Sequence, residues 1–191
     1  MEAATWSPDC EGCLPCRSPT ALRLGGGIAV QFALNHPDRV RRLVLISPAL
    51  MARDWSAAWK TLWRQITAQA RAGRMDEARA LWLVHPLFET MRRSAAAPIL
   101  AQSIARYSGA QWVANHETAC LPDVDRLPNL RAPTLLLTGA HDLPDYRLIA
   151  DLIAGSAGNV TRTDFPDGGH LLTLEAPEAC SAAIIRFLGA A

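Results

Sequence analysis

The chain has 191 residues, half of them apolar, and a formal net charge of +1. This length suits one domain with a sizeable core, and the near-neutral charge provides no broad field to attract nucleic acid or an anionic membrane. No apolar run reaches the ~18 residues that span a bilayer, and the N-terminus has no basic region followed by an apolar core, so we expect a cytoplasmic protein with neither nucleic acid nor membrane as a partner.

The first segment, residues 1–22, shows no helical or strand periodicity and is predicted to be an irregular leader. Its cysteines Cys10, Cys13 and Cys16 have a spacing that could bring three thiolates to zinc or an iron–sulfur cluster. A fourth ligand has no obvious source nearby, and no regular element is predicted to hold the site. A metal-binding leader is one alternative, but we predict no metal and no other cofactor.

The leader is followed by a predicted helix and a predicted strand. Residues 26–36 place Ile28 and Ala29 at the spacing of a helix core, and Pro37 stops the helix. Residues 43–46, Leu-Val-Leu-Ile, form a continuous apolar run without polar alternation. Such a run is typical of a parallel strand that is covered on both faces.

A long helical insertion, about residues 50–121, interrupts this pattern. Trp55, Trp59 and Trp63 recur at every fourth position, so one helix face is heavily aromatic. Packing within the core is the simpler interpretation, because a tryptophan stripe at helical spacing is usually buried. The same face could also line an apolar pocket, which would make the insertion a lid.

Strands and helices alternate again after the insertion. The pattern predicts strands at residues 134–138 and 160–165 and helices at residues 145–153 and 177–188. This alternation is typical of parallel strands joined by right-handed crossovers. The predicted fold class is therefore α/β, with a sheet of parallel strands, flanking helices and an inserted helical lid.

Two candidate catalytic side chains lie where predicted strands give way to loops. Asp142 ends the segment Thr-Gly-Ala-His-Asp, and His170 ends the segment Asp-Gly-Gly-His. A carboxylate can hold an imidazole in one tautomer, and the imidazole can then accept a proton from a nucleophile. The alternative is a surface aspartate and a loop histidine with no shared task.

Three segments, in this order, resemble the α/β-hydrolase fold family. Residues 25–45 are similar to the helix after the nucleophile and the next strand, residues 132–142 to the acid loop, and residues 168–178 to the histidine loop and closing helix. The resemblance is strongest to small-substrate esterases, enol-lactonases and carbon–carbon bond hydrolases. It implies a partial α/β-hydrolase sheet.

The resemblance also implies roles for the two candidate side chains. In this family the catalytic residues follow the order serine, acid, histidine along the chain. Asp142 is therefore implied to be the acid and His170 the base. Asp145 is an alternative acid, but Asp142 fits the strand end better.

An arginine occupies the position that the resemblance assigns to the nucleophile. If Gly25 is the glycine that closes Gly-x-Ser-x-Gly, Arg23 takes the place of the serine and Leu24 is the remnant of the oxyanion site. Ala21 then replaces the first glycine of the motif. A protonated guanidinium has no lone pair with which to attack a carbonyl carbon.

Neither nearby serine is expected to act as a substitute nucleophile. Ser18 is followed by Pro19, which lacks the backbone N–H that an oxyanion site needs after the nucleophile. Ser47 ends the next strand, at the edge of the implied site.

The residues before Arg23 show neither an apolar strand nor a second oxyanion loop. We therefore divide the chain into a leader, 1–22, and a partial hydrolase domain, 23–191. Without a preceding strand, the strand at residues 43–46 is expected to have an unpaired edge, through which the chain could self-associate. The prediction is a truncated, inactive relative of small-molecule ester or lactone hydrolases, with a small apolar ester-like substrate if activity remains. The alternative is a non-catalytic binding or interaction module that uses the open edge.

Overall fold

The computed structural model describes residues 18–114 and 120–189. The leader cysteines Cys10, Cys13 and Cys16 lie outside the described residues. Within these two ranges, no cluster of three or more His, Cys, Asp or Glu side chains is arranged to hold a metal ion. No helix in the same ranges is both long and apolar enough to cross a membrane.

Four parallel strands form one sheet in chain order. They are β1 Thr20–Leu22, β2 Leu43–Ile46, β3 Thr134–Gly139 and β4 Val160–Phe165. Every residue of β2 and β3 is buried, as expected for apolar runs covered on both faces. The predicted α/β fold with a parallel sheet is confirmed.

The structure corrects the predicted leader at its C-terminal end. Residues 20–22 were expected to be irregular, but they form β1, in which Ala21 lies opposite Leu45 of β2. A three-residue strand gives no periodicity in the sequence, and pairing with β2 provides its hydrogen bonds. Residues 43–46 are therefore an internal strand, and the unpaired edge expected there is absent.

Helices flank the sheet and build the insertion. Their bounds are α1 Arg23–Asn35, α2 Ala57–Arg71, α3 Met75–Leu83, α4 Glu89–Arg92, α5 Ala97–Arg106, α6 Ala110–Val113, α7 Pro144–Ser156, α8 Leu172–Glu175 and α9 Pro177–Gly189. Single 3-10 turns cover Pro37–Arg39, Pro86–Phe88 and Val124–Asn129.

The sheet separates two apolar layers. On one face, Leu43 and Leu136 are fully buried in the larger core, which includes side chains of α1 and α7. On the other face, Val44 and Leu137 pack with Cys180 of α9. Alternate residues of each strand point to opposite faces, so one apolar run supplies both layers.

The helical insertion consists of α2 to α6 with their turns. Its first and last residues lie next to each other. The Asp123 carboxylate accepts a hydrogen bond from the backbone N–H of Met51 at 2.9 Å, and the backbone N–H of Asp123 donates to the Met51 carbonyl at 3.4 Å. Asp123 is fully buried, and burial raises the pKa of its carboxyl group. The two ends of the insertion are thus joined to each other by these hydrogen bonds.

Candidate functional site

Asp142 and His170 form a buried pair at the carboxyl ends of β3 and β4. His170 Nδ1 lies 3.0 Å and 2.9 Å from the two carboxylate oxygens of Asp142. The residues are only 6% and 1% exposed, so the contact is shielded from water. The alternative of a surface aspartate and a loop histidine that do not interact does not fit this geometry.

Glycines allow the two loops that carry this pair to approach each other. A Cβ at Gly139 would lie 2.2 Å from the carbonyl oxygen of Gly169, closer than any real contact. Backbone hydrogen bonds of 2.9 Å join Ala140 to Phe165 and His141 to Gly168 across the same gap. The close approach places Asp142 and His170 within hydrogen-bonding distance.

Burial favours the neutral form of His170. Burial lowers the pKa of its imidazole, Asp142 opposes this effect, and the charge of Arg23 reinforces it. Its second nitrogen, Nε2, is buried and has no hydrogen-bond partner among residues 18–114 and 120–189. The ring therefore has one nitrogen bound to a carboxylate and one free to accept a proton.

Asp145, the alternative acid, contacts the insertion and not His170. Its carboxylate accepts hydrogen bonds from the Ser56 hydroxyl at 2.6 Å and the Ser56 backbone N–H at 3.0 Å, and it pairs with Arg53 at 3.4 Å. Burial raises the pKa of Asp145, but these Ser56 and Arg53 contacts outweigh it and hold the pKa below the ordinary value. Asp145 thus anchors the start of α2.

Arg23 occupies the turn between β1 and α1. Its φ of 52° lies in the left-handed region, which long side chains rarely adopt. The carbonyl of Arg23 accepts a hydrogen bond of 2.8 Å from the backbone N–H of Ala49, just beyond β2. A Cβ at Gly26 would lie 2.6 Å from the Pro48 side chain, so a glycine is needed there. The strained turn therefore persists although it carries an arginine.

The alanine that replaces the first glycine of the motif fits this turn. Ala21 is half-buried, and its Cβ would lie 4.0 Å from a Cβ at Gly25, an ordinary contact distance. The departure at Ala21 therefore does not disrupt the local backbone.

The Arg23 guanidinium contacts aromatic side chains. Its Cζ lies 6.0 Å from the centre of the Trp82 ring and 5.9 Å from that of Phe88. Arg23 lines the same cavity as Tyr146, whose ring centre is 4.3 Å from that of His170. Burial raises the pKa of Tyr146 to about 12, so its hydroxyl is neutral. Arg23, Tyr146 and His170 therefore lie near one another.

A large cavity of about 1560 Å³ lies between α1 and the helical insertion. Arg23, Leu24 and Ile28 line its floor, so Ile28 is not in the core as its helical spacing predicted. Ser18 and Ser47 do not line this cavity.

The tryptophan face of α2 both packs and lines the cavity. Trp55 and Trp59 stack with ring centres 4.8 Å apart, and Trp59 and Trp63 are nearly parallel at 6.3 Å. All three are partly buried against the larger core and also form cavity wall. Both interpretations of the stripe therefore apply.

Glu175 has a positioning role that the sequence analysis missed. It accepts a hydrogen bond of 2.8 Å from the Thr90 hydroxyl in the insertion and another from the backbone N–H of Gly169 in the histidine loop. A Cβ at Gly169 would lie 1.9 Å from the Thr90 hydroxyl oxygen. The only sequence signal was the proximity of Glu175 to His170.

His85 is a second buried imidazole that the sequence analysis missed. Its Nδ1 accepts a hydrogen bond of 3.1 Å from the backbone N–H of Leu87, and its ring centre lies 5.3 Å from that of Trp59. Burial, followed by the charges of Arg23, His170 and Arg92, lowers its pKa to about 4.

This low pKa predicts that acid destabilises the fold through His85. An unfolded histidine binds a proton near pH 6.5 and folded His85 only near pH 4, so the unfolded state binds more protons between these values. The stability that the fold gains from burying neutral His85 is therefore fully present above pH 6.5 and is lost as the pH falls towards 4. This contribution to the free energy of unfolding should be about 2 kcal/mol after allowance for solvent screening.

Urea unfolding of the unmodified chain and of His85→Asn at several pH values would measure this loss. Asparagine keeps a side-chain acceptor for the Leu87 N–H but does not titrate. Between pH 6.5 and 4, the free energy of unfolding of the variant should fall by about 2 kcal/mol less than that of the unmodified chain. Equal losses in the two proteins would contradict the assignment.

The sequence profile of the alpha/beta hydrolase fold family matches residues 24–177. The chain is 25% identical over 181 residues to the carboxylesterase YbfK of Bacillus subtilis, covering 87% of this chain and 55% of that one. It is 28% identical to a 2-hydroxymuconate semialdehyde hydrolase of Pseudomonas putida, with coverage of 87% and 60%. The chain thus spans less than two thirds of the length of these relatives.

A solved structure of a hydrolase from Pseudomonas aeruginosa PA01 superposes with a TM-score of 0.69 at 26% identity. The match covers 92% of this chain and 66% of that one. The superposition includes most of the described sheet and insertion.

Proposed function

The chain belongs to the α/β-hydrolase fold family, and we propose that it is a relative of small-molecule ester and lactone hydrolases that does not hydrolyse esters through a nucleophilic serine. One observation carries this proposal: Arg23 occupies the strained turn between β1 and α1 that would present the nucleophile. A guanidinium cannot form an acyl intermediate.

In this proposal Asp142 and His170 are the family acid and base. Asp142 would hold the imidazole with its proton on Nδ1, and Nε2 would accept the proton of a nucleophile. The 2.9 Å contact and the unpartnered Nε2 support these roles. Leu24 would retain its oxyanion N–H, since it follows Arg23 at the start of α1. The pair would therefore lack a nucleophilic partner among the described residues.

A fluorophosphonate probe and a p-nitrophenyl ester assay test the proposal. We expect no labelling of the unmodified chain and no ester turnover above background. Serine labelling that disappears in His170→Ala would contradict the proposal, because it would show a nucleophile activated by His170. Labelling that persists in this variant would indicate a surface reaction that does not use the pair.

The alternative function is a non-catalytic interaction module that uses a sheet edge. Among the described residues, β1 pairs only with β2, so its other side is the edge that this alternative would use. Self-association through this edge and a cytoplasmic location stay predictions.

A further inference from the structure

We infer that the cavity above α1 binds an aromatic monocarboxylate, with the carboxylate held by Arg23 and the ring held by the tryptophan face of α2. The inference rests on the proposed function in one respect, the position of Arg23 at the nucleophile turn. A residue that cannot attack an acyl group can still bind a carboxylate, the group that ester hydrolysis releases.

The first reason is the uncompensated charge of Arg23. Within residues 18–114 and 120–189, no carboxylate lies within 4.0 Å of its guanidinium. Its guanidinium lies over the rings of Trp82 and Phe88, and the neutral Tyr146 lines the same cavity. A cation in apolar surroundings is costly unless an anion pairs with it. A guanidinium can bind a carboxylate through two parallel hydrogen bonds.

The second reason is the start of α1, on the floor of the same cavity. This 13-residue helix has no side-chain cap and no acidic residue in its first turn. The first backbone N–H groups of a helix have no intrahelical partner, and the helix dipole favours an anion there. Leu24 and Gly25, in this turn, line the cavity with Arg23. The helix start and the guanidinium therefore favour the same charge at the same place.

The third reason is the aromatic wall, which determines the rest of the ligand. The rings of Trp55, Trp59 and Trp63 form a continuous stacked series along the cavity. Flat aromatic rings stack on such surfaces with an offset or edge-to-face geometry. The volume of about 1560 Å³ exceeds the ~300–1,000 Å³ of common ligand pockets, so a fused ring system fits without repacking.

Calorimetric titration with 2-naphthoate and the uncharged 2-naphthamide tests the inference. The unmodified chain should bind 2-naphthoate roughly 10- to 100-fold more tightly than 2-naphthamide, the range expected for a charge-assisted pair. Arg23→Gln should reduce the affinity for 2-naphthoate at least tenfold, towards that for the amide, and leave the amide affinity unchanged, while the start of α1 retains part of the preference for the acid.

Arg131→Gln is the matched control, because Arg131 is exposed, does not line the cavity, and its loss changes the net charge equally. This variant should bind 2-naphthoate like the unmodified chain. Equal affinities of the unmodified chain for the two ligands, or full affinity for 2-naphthoate in folded Arg23→Gln, would overturn the inference. If Arg23→Gln does not fold, the comparison of acid and amide on the unmodified chain decides.

The two proposals fail separately. Ester turnover by the unmodified chain would contradict the proposed function and leave the ligand affinities as measured. Equal affinities for the acid and the amide would overturn the inference, but they would not contradict the proposed function, which concerns the absence of a nucleophile.

Discussion

Arg23→Ser should convert a chain that fluorophosphonates do not label into one that they label stoichiometrically at position 23. The backbone of Arg23 already has the left-handed φ of 52° at the junction of β1 and α1. The charge of Arg23 acts on the buried ring of His170, so we expect a hydroxyl at position 23 to reach the unpartnered Nε2. The serine would thus occupy a turn that is already formed, in a domain that already contains the pair of Asp142 and His170.

The Arg23→Ser substitution also changes the pKa of His170. The charge of Arg23 lowers the pKa of His170, so its removal moves this pKa upward, towards the range in which a histidine is an effective general base at neutral pH. Ester turnover should nonetheless be slow. In the proposed site Leu24 would supply one oxyanion N–H, and the loss of a second donor typically reduces the rate by about 10²–10³.

Two controls make this prediction specific. Arg23→Ala removes the same charge without adding a nucleophile and should not be labelled. The double variant Arg23→Ser with His170→Ala should lose the labelling, because the serine would have no base. Intact-mass spectrometry would follow all three proteins. An unlabelled but folded Arg23→Ser would show that position 23 is not within reach of His170.

Gly139→Ala should destabilise the fold by about 3 kcal/mol, or roughly 6–12 °C in Tm for a chain of this size. The added Cβ would lie 2.2 Å from the carbonyl oxygen of Gly169 and 2.4 Å from that of Gly168. Both are backbone atoms of the histidine loop, so no side-chain rotation relieves the overlap. The loops must separate and weaken the 2.9 Å hydrogen bond between His141 and Gly168.

Gly155→Ala provides the matched control for Gly139→Ala. Gly155 lies in α7, and a Cβ there would meet no atom within 4 Å. Alanine is the better helix former, so this variant should gain about 0.5 kcal/mol. Urea unfolding of both variants would measure the difference. A Gly139→Ala variant as stable as the unmodified chain would contradict the close approach of the two loops.

The regular parts of the fold were predictable because their patterns are local. The apolar run at residues 43–46 and the segment 160–165 gave strands with the observed bounds. Asp142 and His170 were singled out by their places at strand ends, and the structure brings them to 2.9 Å. The contacts of Asp145 with Ser56 could not be read from the sequence, since the two residues are far apart along the chain.

Other features depend on tertiary contacts that leave no sequence pattern. Residues 20–22 become a strand only because β2 pairs with them. The left-handed φ of Arg23 contradicts the preference of its residue type and persists because the surrounding turn imposes it. Ile28 has helical core spacing, yet it is 57% exposed because a cavity lies on that side of α1.

The pairing of Met51 with Asp123 gives the insertion the properties of an exchangeable cassette. Because its two ends meet through reciprocal hydrogen bonds, the cassette begins and ends at adjacent points of the backbone. A transplanted segment of different length would have to satisfy this junction and the contacts that the insertion makes with Asp145 and Glu175. The tryptophan wall could thus be replaced as a unit and ligand choice redesigned, provided that the new segment supplies Arg23 with contacts in place of Trp82 and Phe88.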